Sequence, residues 1–173
     1  KYIDFGQGVA NPGYIWNIKD VMKRAEAGEK LTIGFIGGSI TQGSLSSTPQ
    51  KCYAYLVYEW WVRTFPQAEF KYVNAGIGGT TSQFGVARAQ DDLLDAEPDF
   101  VIAEFSVNDE STGHFEETYE GLVRKILSSK SHPALMLVHN VCYNNGASAE
   151  LVHSRIARHY NIPSVSMQST LYK

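Results

Sequence analysis

The feature that most constrains the fold of this chain is a repeated alternation along its 173 residues. A short apolar run of β-forming residues is followed by a loop rich in Gly, Ser or Asn, and then by a longer stretch with helical periodicity. These runs are apolar throughout rather than strictly alternating with polar residues, as expected of strands that are covered on both faces. The strand candidates are Leu31–Ile36, Phe70–Asn74, Phe100–Phe105, Ala134–His139 and Ser164–Met167.

The stretches of helical periodicity precede and separate these strands. Each has about the length that a right-handed crossover between parallel strands requires. They are Tyr14–Ala27, Tyr53–Thr64, Ser82–Ala96, Glu116–Ser129 and Ala147–Tyr160. The chain contains no repeat, no low-complexity tract and no long linker. The sequence therefore predicts a single domain over residues 1–173, an α/β fold in the form of a three-layer α/β/α sandwich with a mainly parallel five-stranded sheet.

The charge and hydropathy of the chain limit its partners. Lys and Arg number 15 against 18 Asp and Glu, so the net charge of -3 gives no electrostatic reason to expect nucleic acid or an anionic membrane. No apolar run approaches the roughly 20 residues that span a bilayer, and residues 1–5 lack the apolar stretch of a signal peptide. Cys52 and Cys142 fit two buried thiols better than a disulfide framework or a zinc site. The compartment stays open and leans cytoplasmic, although a processed signal peptide would leave the same sequence, and the oligomeric state is left open.

A candidate nucleophile follows the first strand candidate. Ligands of open α/β sheets gather at the carboxyl ends of the strands, so the loops after the strands are where chemistry is expected. The first of these loops is Gly37-Gly38-Ser39-Ile40-Thr41-Gln42-Gly43. Its two leading glycines let the backbone turn tightly and project the Ser39 hydroxyl above the sheet edge.

Two further loops offer hydrogen-bond donors. Asn74–Ser82, after the second strand candidate, contains glycines whose backbone N–H groups are not shielded by a Cβ atom. Glu104–Asp109, after the third, contains the side-chain amide of Asn108. An acyl-transfer enzyme needs such donors for its oxyanion, and each contributes on the order of 10²–10³ in rate.

The order and context of these loops resemble the SGNH (GDSL-like) hydrolases, a superfamily of esterases and lipases named for four residues. Ser39 matches the serine of the first block, where the usual Gly-Asp-Ser is here Gly37-Gly38-Ser39, as in many carbohydrate-esterase-like members. The resemblance covers nearly the whole chain and implies an SGNH/flavodoxin-like sheet.

The glycine and asparagine of the superfamily also have counterparts. Gly79 best matches the second-block glycine when the run from Asn74 to Thr81 sets the register, and Gly78 is the alternative if that register slips by one. Asn108 matches the third-block asparagine of Gly-x-Asn-Asp.

The fourth block of the superfamily, Asp-x-x-His, is missing. The histidines are His114, His132, His139, His153 and His159, and none has Asp three positions before it. The nearest mimic, Glu150 with His153, lies in a predicted helix before the fifth strand, whereas the superfamily motif follows the last strand. His139 ends a buried strand, a position that is more typical of a hydrogen-bonded structural residue than of a ligand or base. The resemblance thus implies that the chain stops before the loop and closing helix that carry the catalytic pair, and that the catalytic histidine lies beyond Lys173.

The resemblance implies a serine ester hydrolase that needs no metal and no organic cofactor. In this reading Ser39 attacks an ester carbonyl, and the oxyanion is held by the backbone N–H groups of Ser39 and Gly79 and by the amide of Asn108. The stretch from Gly37 to Trp61 is similar to carbohydrate-directed members that remove acetyl groups from polysaccharides or oligosaccharides. The expected partner is therefore a small-molecule or oligosaccharide ester, with acetyl-xylan, acetyl-mannan and short-chain esters unranked.

Two other hypotheses stay open at this point. In the first, the chain is a glycan-binding protein that keeps the fold without the base. In the second, it is one part of an assembly in which another chain or a swapped segment supplies the Asp-His pair. An exposed apolar patch in place of the closing helix would favour the assembly.

Overall fold

A six-stranded sheet runs through the centre of the protein in its computed structural model, which describes residues 6–171. The strands are β1 Val9–Asn11, β2 Lys30–Gly37, β3 Glu69–Gly76, β4 Phe100–Glu104, β5 Ala134–His139 and β6 Ser164–Ser166. Their order across the sheet is β1-β6-β5-β4-β2-β3, with β1 antiparallel to β6 and every other pair parallel. The predicted α/β fold with a mainly parallel sheet is confirmed.

The predicted count of five strands is wrong by one, because β1 was not foreseen. This strand of three residues lies at the sheet edge and pairs Val9 with Val165 and Asn11 with Ser164. The side-chain amide of Asn11 donates to the carbonyl oxygen of Ile162 at 2.8 Å. It also donates to the carbonyl oxygen of Ala157 at 3.2 Å. Pairing with a distant strand and the hydrogen bonds of one side chain define this element, and neither leaves an apolar run in the sequence.

The five predicted helices are present, one with its predicted bounds, Tyr53–Thr64, and the other four with shifted ends. The helices are α1 Trp16–Glu26, α2 Ser39–Gln42, α3 Tyr53–Thr64, α4 Ser82–Asp92, α5 Gly113–Leu127, α6 Glu150–His159 and α7 Met167–Leu171. Short 3₁₀ turns occupy Pro49–Lys51 and Leu94–Ala96. The predicted helix Ser82–Ala96 is thus α4 followed by a separate turn, and the short helices α2 and α7 were not foreseen.

Two apolar clusters separate the three layers of the fold. On one face of the sheet, Val101 and Ala103 of β4 pack with residues of α4, α5 and α6, among them Tyr119. On the other face, Phe100 and Ile102 of the same strand pack with α1 and α3. Alternate residues of a buried strand therefore serve opposite faces, as its continuous apolar sequence predicts.

The second face carries an open apolar groove between α1 and α3, here called the α1/α3 groove. Its volume is about 310 Å³. The lining residues are all apolar: Ile18, Met22, Val57, Trp60, Trp61, Phe100, Ile102 and Met136. Trp60 remains 46% exposed in it. Apolar surface of this kind, continuous with the core, is typical of a face that another polypeptide segment covers.

Two expectations from composition can be compared with the fold. No helix within residues 6–171 combines the length and the apolarity needed to cross a bilayer. Cys52 and Cys142 are both free thiols. Cys52 is buried as predicted, whereas Cys142 is only half-buried, because it lies in the loop after β5 and not in a core element.

The adjacent tryptophans of α3 provide a matched test of the core. Trp61 is 2% exposed and packs on Phe65, Phe70 and Phe100, while Trp60 faces the groove. We expect Trp61→Ala to lower the free energy of unfolding by about 3–5 kcal/mol, and Trp60→Ala to lower it far less. Urea unfolding of both variants measures the difference; equal losses would contradict this assignment of the core.

Candidate active site

Ser39 lies at the carboxyl end of β2, where the sequence placed the candidate nucleophile. The strand ends at Gly37, Gly38 caps the next helix in an extended conformation, and Ser39 is the first residue of α2. The Ser39 side chain is half-buried. Its backbone N–H forms no hydrogen bond with any residue in the range 6–171. The hydroxyl therefore stands at the sheet edge with a free backbone donor on the same residue.

Asn108 packs directly against the backbone that carries Ser39. A Cβ atom built on Gly38 would lie 2.5 Å from Asn108 Oδ1 and 3.4 Å from the carbonyl oxygen of Thr80. Only glycine leaves room for this approach. The loops after β2, β3 and β4 thus meet at Gly38, next to the serine hydroxyl.

The two glycines that compete for the second-block position differ in their hydrogen bonding. Gly78 lies beside Ser39, since a Cβ atom on it would be 3.7 Å from Ser39 Cβ, but its N–H donates to Gln42 Oε1 at 2.9 Å. Gly79 has a φ of +71°, a left-handed conformation that favours glycine. Its N–H has no acceptor in the part of the chain that the structure describes. Of the two, Gly79 has the N–H that is available to a ligand.

Polar side chains tie α2 to the neighbouring elements. Asn74 donates to the Thr41 carbonyl oxygen at 2.8 Å and accepts from the Gly76 N–H at 2.9 Å. Thr41 Oγ1 also lies 2.8 Å from the Tyr53 hydroxyl oxygen. Burial raises the pKa of Tyr53, with a contribution from the nearby Glu104 carboxyl, so the phenol stays neutral. These bonds hold the turn that carries Ser39 against β3 and α3.

Asp109 anchors the loop that carries Asn108. Its side chain is fully buried. One carboxylate oxygen accepts the backbone N–H of Ser82, the first residue of α4, at 2.8 Å. The other lies 3.0 Å from His153 Nε2 on α6. The residue after Asn108 is therefore bonded to two helices, and no local sequence pattern predicts either bond.

His153 is a structural partner of Asp109 and forms no hydrogen bond with the serine hydroxyl. Its ring is fully buried and stacks on Tyr119 with centroids 3.6 Å apart. Nε2 donates to the carboxylate, and Nδ1 has no partner among the described residues. Burial lowers the pKa of His153, and the bond to Asp109 opposes this shift only partly. The imidazole is held neutral beneath the loop.

The Glu150 and His153 mimic of the catalytic pair does not form. The Glu150 carboxylate accepts the hydroxyl of Ser166 at 2.7 Å, while His153 turns to Asp109. None of the five histidines hydrogen-bonds to Ser39.

His139 differs from its predicted role as a hydrogen-bonded structural residue. It is fully buried at the end of β5, and neither ring nitrogen has a partner in the described part of the chain. Burial lowers its pKa to about 3, with smaller contributions from His153 and Arg158. The ring therefore behaves as a neutral core side chain.

Glu104 is a buried carboxyl group at the end of β4 whose environment the sequence did not reveal. It accepts the backbone N–H and the hydroxyl of Ser106, each at 3.0 Å. Burial raises its pKa to about 7, and the Ser106 bonds counteract part of that shift. Ser106 Oγ accepts the N–H of Asn140 at 2.7 Å, so this group links the loops after β4 and β5.

The sheet order and the three converging loops define an SGNH-type α/β/α protein. The chain belongs to the GDSL-like lipase/acylhydrolase family, whose sequence profile matches residues 35–169. This is a family of carboxylic ester hydrolases. The chain is 30% identical over 149 residues to thioesterase 1/protease 1/lysophospholipase L1 of Escherichia coli K12, across 81% of this chain and 67% of that protein.

Solved structures agree with this assignment. A two-domain esterase active on acetylated mannans, crystallised with mannopentaose, is 70% identical with a TM-score of 0.98 over 99% of this chain. The match covers 47% of that chain, so the present chain spans less than half of its length. An acetylxylan esterase from Geobacillus stearothermophilus shares the fold at 20% identity, with a TM-score of 0.64 over 79% of this chain and 76% of that one.

The buried His139 ring yields a prediction on acid stability. Because its pKa lies below the ordinary value of 6.5, the unfolded chain binds the proton first, and stability is lost as the pH falls through 6.5. His139→Leu removes this loss. The free energy of unfolding of His139→Leu, relative to that of the unmodified protein, should therefore rise by up to about 1.4 kcal/mol for each pH unit below 6.5. Urea unfolding of both proteins at pH 7, 6 and 5 measures it. Glu104 is present in both proteins, so its contribution to the pH dependence cancels in the comparison. A difference in unfolding free energy that does not change with pH would contradict a neutral, unbonded His139 ring.

Proposed function

We propose that the protein is a serine ester hydrolase that removes acetyl groups from carbohydrate chains, with Ser39 as the nucleophile. The observation that carries the proposal is the packing of Asn108 and of the Thr80 carbonyl oxygen against Gly38, with Gly78 beside Ser39. Three loops from three adjacent strands thereby meet next to the residue that carries the candidate hydroxyl group.

The free donors match the needs of acyl transfer. Ser39 Oγ attacks the ester carbonyl, and the resulting oxyanion accepts hydrogen bonds from the N–H groups of Ser39 and Gly79 and from Nδ2 of Asn108. Asn108 Oδ1 faces Gly38, so the amide nitrogen Nδ2 is the atom that is free to donate. The Gly78 N–H is already bonded to Gln42. This difference supports Gly79 as the backbone donor.

The general base is a histidine carried by polypeptide outside residues 1–173. No histidine hydrogen-bonds to Ser39 among the described residues, and His153 and His139 are fully buried. The α1/α3 groove supports this part of the proposal, since its eight apolar lining residues form a surface suited to a further helix. A segment of the same protein or of a second chain that packs there would complete the third layer.

The substrate class rests on the 70% identical two-domain esterase, which is active on acetylated mannans. The acetylxylan esterase supports the fold alone. We therefore expect acetate release from acetylated mannan by the complete protein, with Ser39 required.

Hydrolysis of p-nitrophenyl acetate tests the nucleophile and the missing base together. Three proteins are compared: residues 1–173, the complete reading frame, and the complete reading frame with Ser39→Ala. We expect turnover from the complete protein alone, because without a general base the serine hydroxyl is poorly activated. Equal activity of the short chain would place the base among its five histidines. Full activity in the Ser39→Ala protein would overturn the proposal, and oligosaccharide binding without turnover would favour a glycan-binding protein.

Asn108→Ala tests the oxyanion hole. We expect it to lower kcat by about 10²–10³-fold, as the loss of one oxyanion donor does, with little change in thermal stability because Asp109 still anchors the loop. Asn144→Ala, at an exposed position in another loop, is the matched control and should leave kcat unchanged. Unchanged kcat in Asn108→Ala would remove this amide from the mechanism.

A further inference from the structure

A buried arginine lies on the helix behind the candidate oxyanion hole. Arg88, in the middle of α4, is 8% exposed. Its Nη1 donates to the carbonyl oxygen of Ala75 at 2.7 Å, and its Nη2 donates to the carbonyl oxygen of Gly37 at 3.1 Å. Nη1 also lies 2.9 Å from a carboxylate oxygen of Asp92, one turn along the helix. One guanidinium group thus bridges the ends of two neighbouring strands.

These two carbonyl groups lie where β2 and β3 separate into their loops. Gly37 is the last residue of β2 and pairs with Gly76 of β3. Its carbonyl oxygen also accepts the N–H of Ile77 at 3.0 Å. Ser39 follows two residues later, and Gly79 follows three residues after Gly76. The spacing between the Ser39 and Gly79 backbone N–H groups therefore depends on how these strand ends are held.

Stability alone does not explain a charged group at this position. The Nε atom of Arg88 is buried without a partner among the described residues, and its counter-ion Asp92 is 38% exposed. A buried ion pair is costly to desolvate, and an apolar side chain of similar volume is often neutral or stabilising in its place. An apolar side chain, however, has no donors with which to bridge two carbonyl groups.

We propose that Arg88 is a positioning residue that sets the distance between the Ser39 and Gly79 N–H groups for the oxyanion. The inference rests on the proposed function. The planar guanidinium presents two donors in a fixed fork, which joins the carbonyl oxygens of Gly37 and Ala75 at a defined separation. A lysine ammonium is a point donor on a flexible stem and does not impose that separation.

The test compares Arg88→Met and Arg88→Lys in the complete protein. We expect Arg88→Met to lower kcat for p-nitrophenyl acetate by about 10²-fold, which is the effect of a small displacement in a preorganised site. KM should change by less than about threefold, since ground-state binding does not use the oxyanion donors. Arg88→Lys should be intermediate. Arg63→Met is the matched control, because Arg63 also pairs with a carboxylate four residues away, Glu59, but is 75% exposed and on α3.

Two further readouts separate positioning from general destabilisation. The affinity for a boronic acid, which binds a serine hydrolase as a tetrahedral mimic, should fall in parallel with kcat in the Arg88 variants. Amide hydrogen exchange at Ile77 should accelerate in Arg88→Met, since the acceptor Gly37 is no longer held. If Arg88→Met does not fold, the same measurements on Arg88→Lys test the proposal.

The outcomes distinguish this inference from the proposed function. If the unmodified protein does not hydrolyse the ester through Ser39, the proposed function fails, and the exchange rate at Ile77 still tests whether Arg88 holds the strand ends. If the unmodified protein is active, an Arg88→Met protein with unchanged kcat, or with a raised KM alone, overturns the role of Arg88. Equal losses of kcat in Arg88→Met and Arg63→Met would do the same.

Discussion

The candidate site depends on the pairing of β2 with a parallel strand on each side. Gly37, at the end of β2, lies opposite Gly76 of β3 and opposite Glu104 of β4. Parallel strands that end in register deliver their loops to the same edge of the sheet. Ser39, Gly79 and Asn108 then follow within two to four residues of these paired positions. Backbone pairing therefore brings the three predicted residues to one place before any side-chain contact is considered.

A layer of buried polar groups beneath this edge holds the loops in position. Arg88 bonds the ends of β2 and β3, Asp109 with His153 bonds the loop after β4, and Glu104 with Ser106 links that loop to the next one. Each of these groups is costly to bury, and hydrogen bonds with partners that are fixed in place offset part of that cost. The same bonds make the geometry above them rigid, which is what stabilisation of a developing charge requires.

The parts of the fold that the sequence predicts correctly are those with a local pattern. Apolar runs identify the five parallel or central strands, and a Gly-Gly-Ser or Val-Asn-Asp segment directly after such a run identifies a loop at the carboxyl edge. The edge strand Val9–Asn11 has no such run, since it is defined by pairing with a strand more than 150 residues away. Short helices such as α7 lack enough turns to show a period.

The buried polar network could not be predicted from the sequence, for a related reason. Asp109 is 44 residues from His153, and Arg88 is 51 residues from Gly37, so no spacing rule connects them. The local pairing of Glu150 with His153 was the only partner that helix periodicity offered, and the tertiary contact with Asp109 replaces it. His139 was expected to be hydrogen-bonded because buried polar groups usually are, yet its lowered pKa and its unpartnered ring make it part of the core.

The most direct test of the account is to map where a fluorophosphonate reacts with the complete protein. Such a reagent modifies a serine whose hydroxyl is activated beside preformed oxyanion donors. Peptide mass spectrometry should find the adduct on Ser39, and the Ser39→Ala protein should remain unmodified. A protein that hydrolyses acetyl esters but carries the adduct on another residue, or on none, would contradict the assignment of the site.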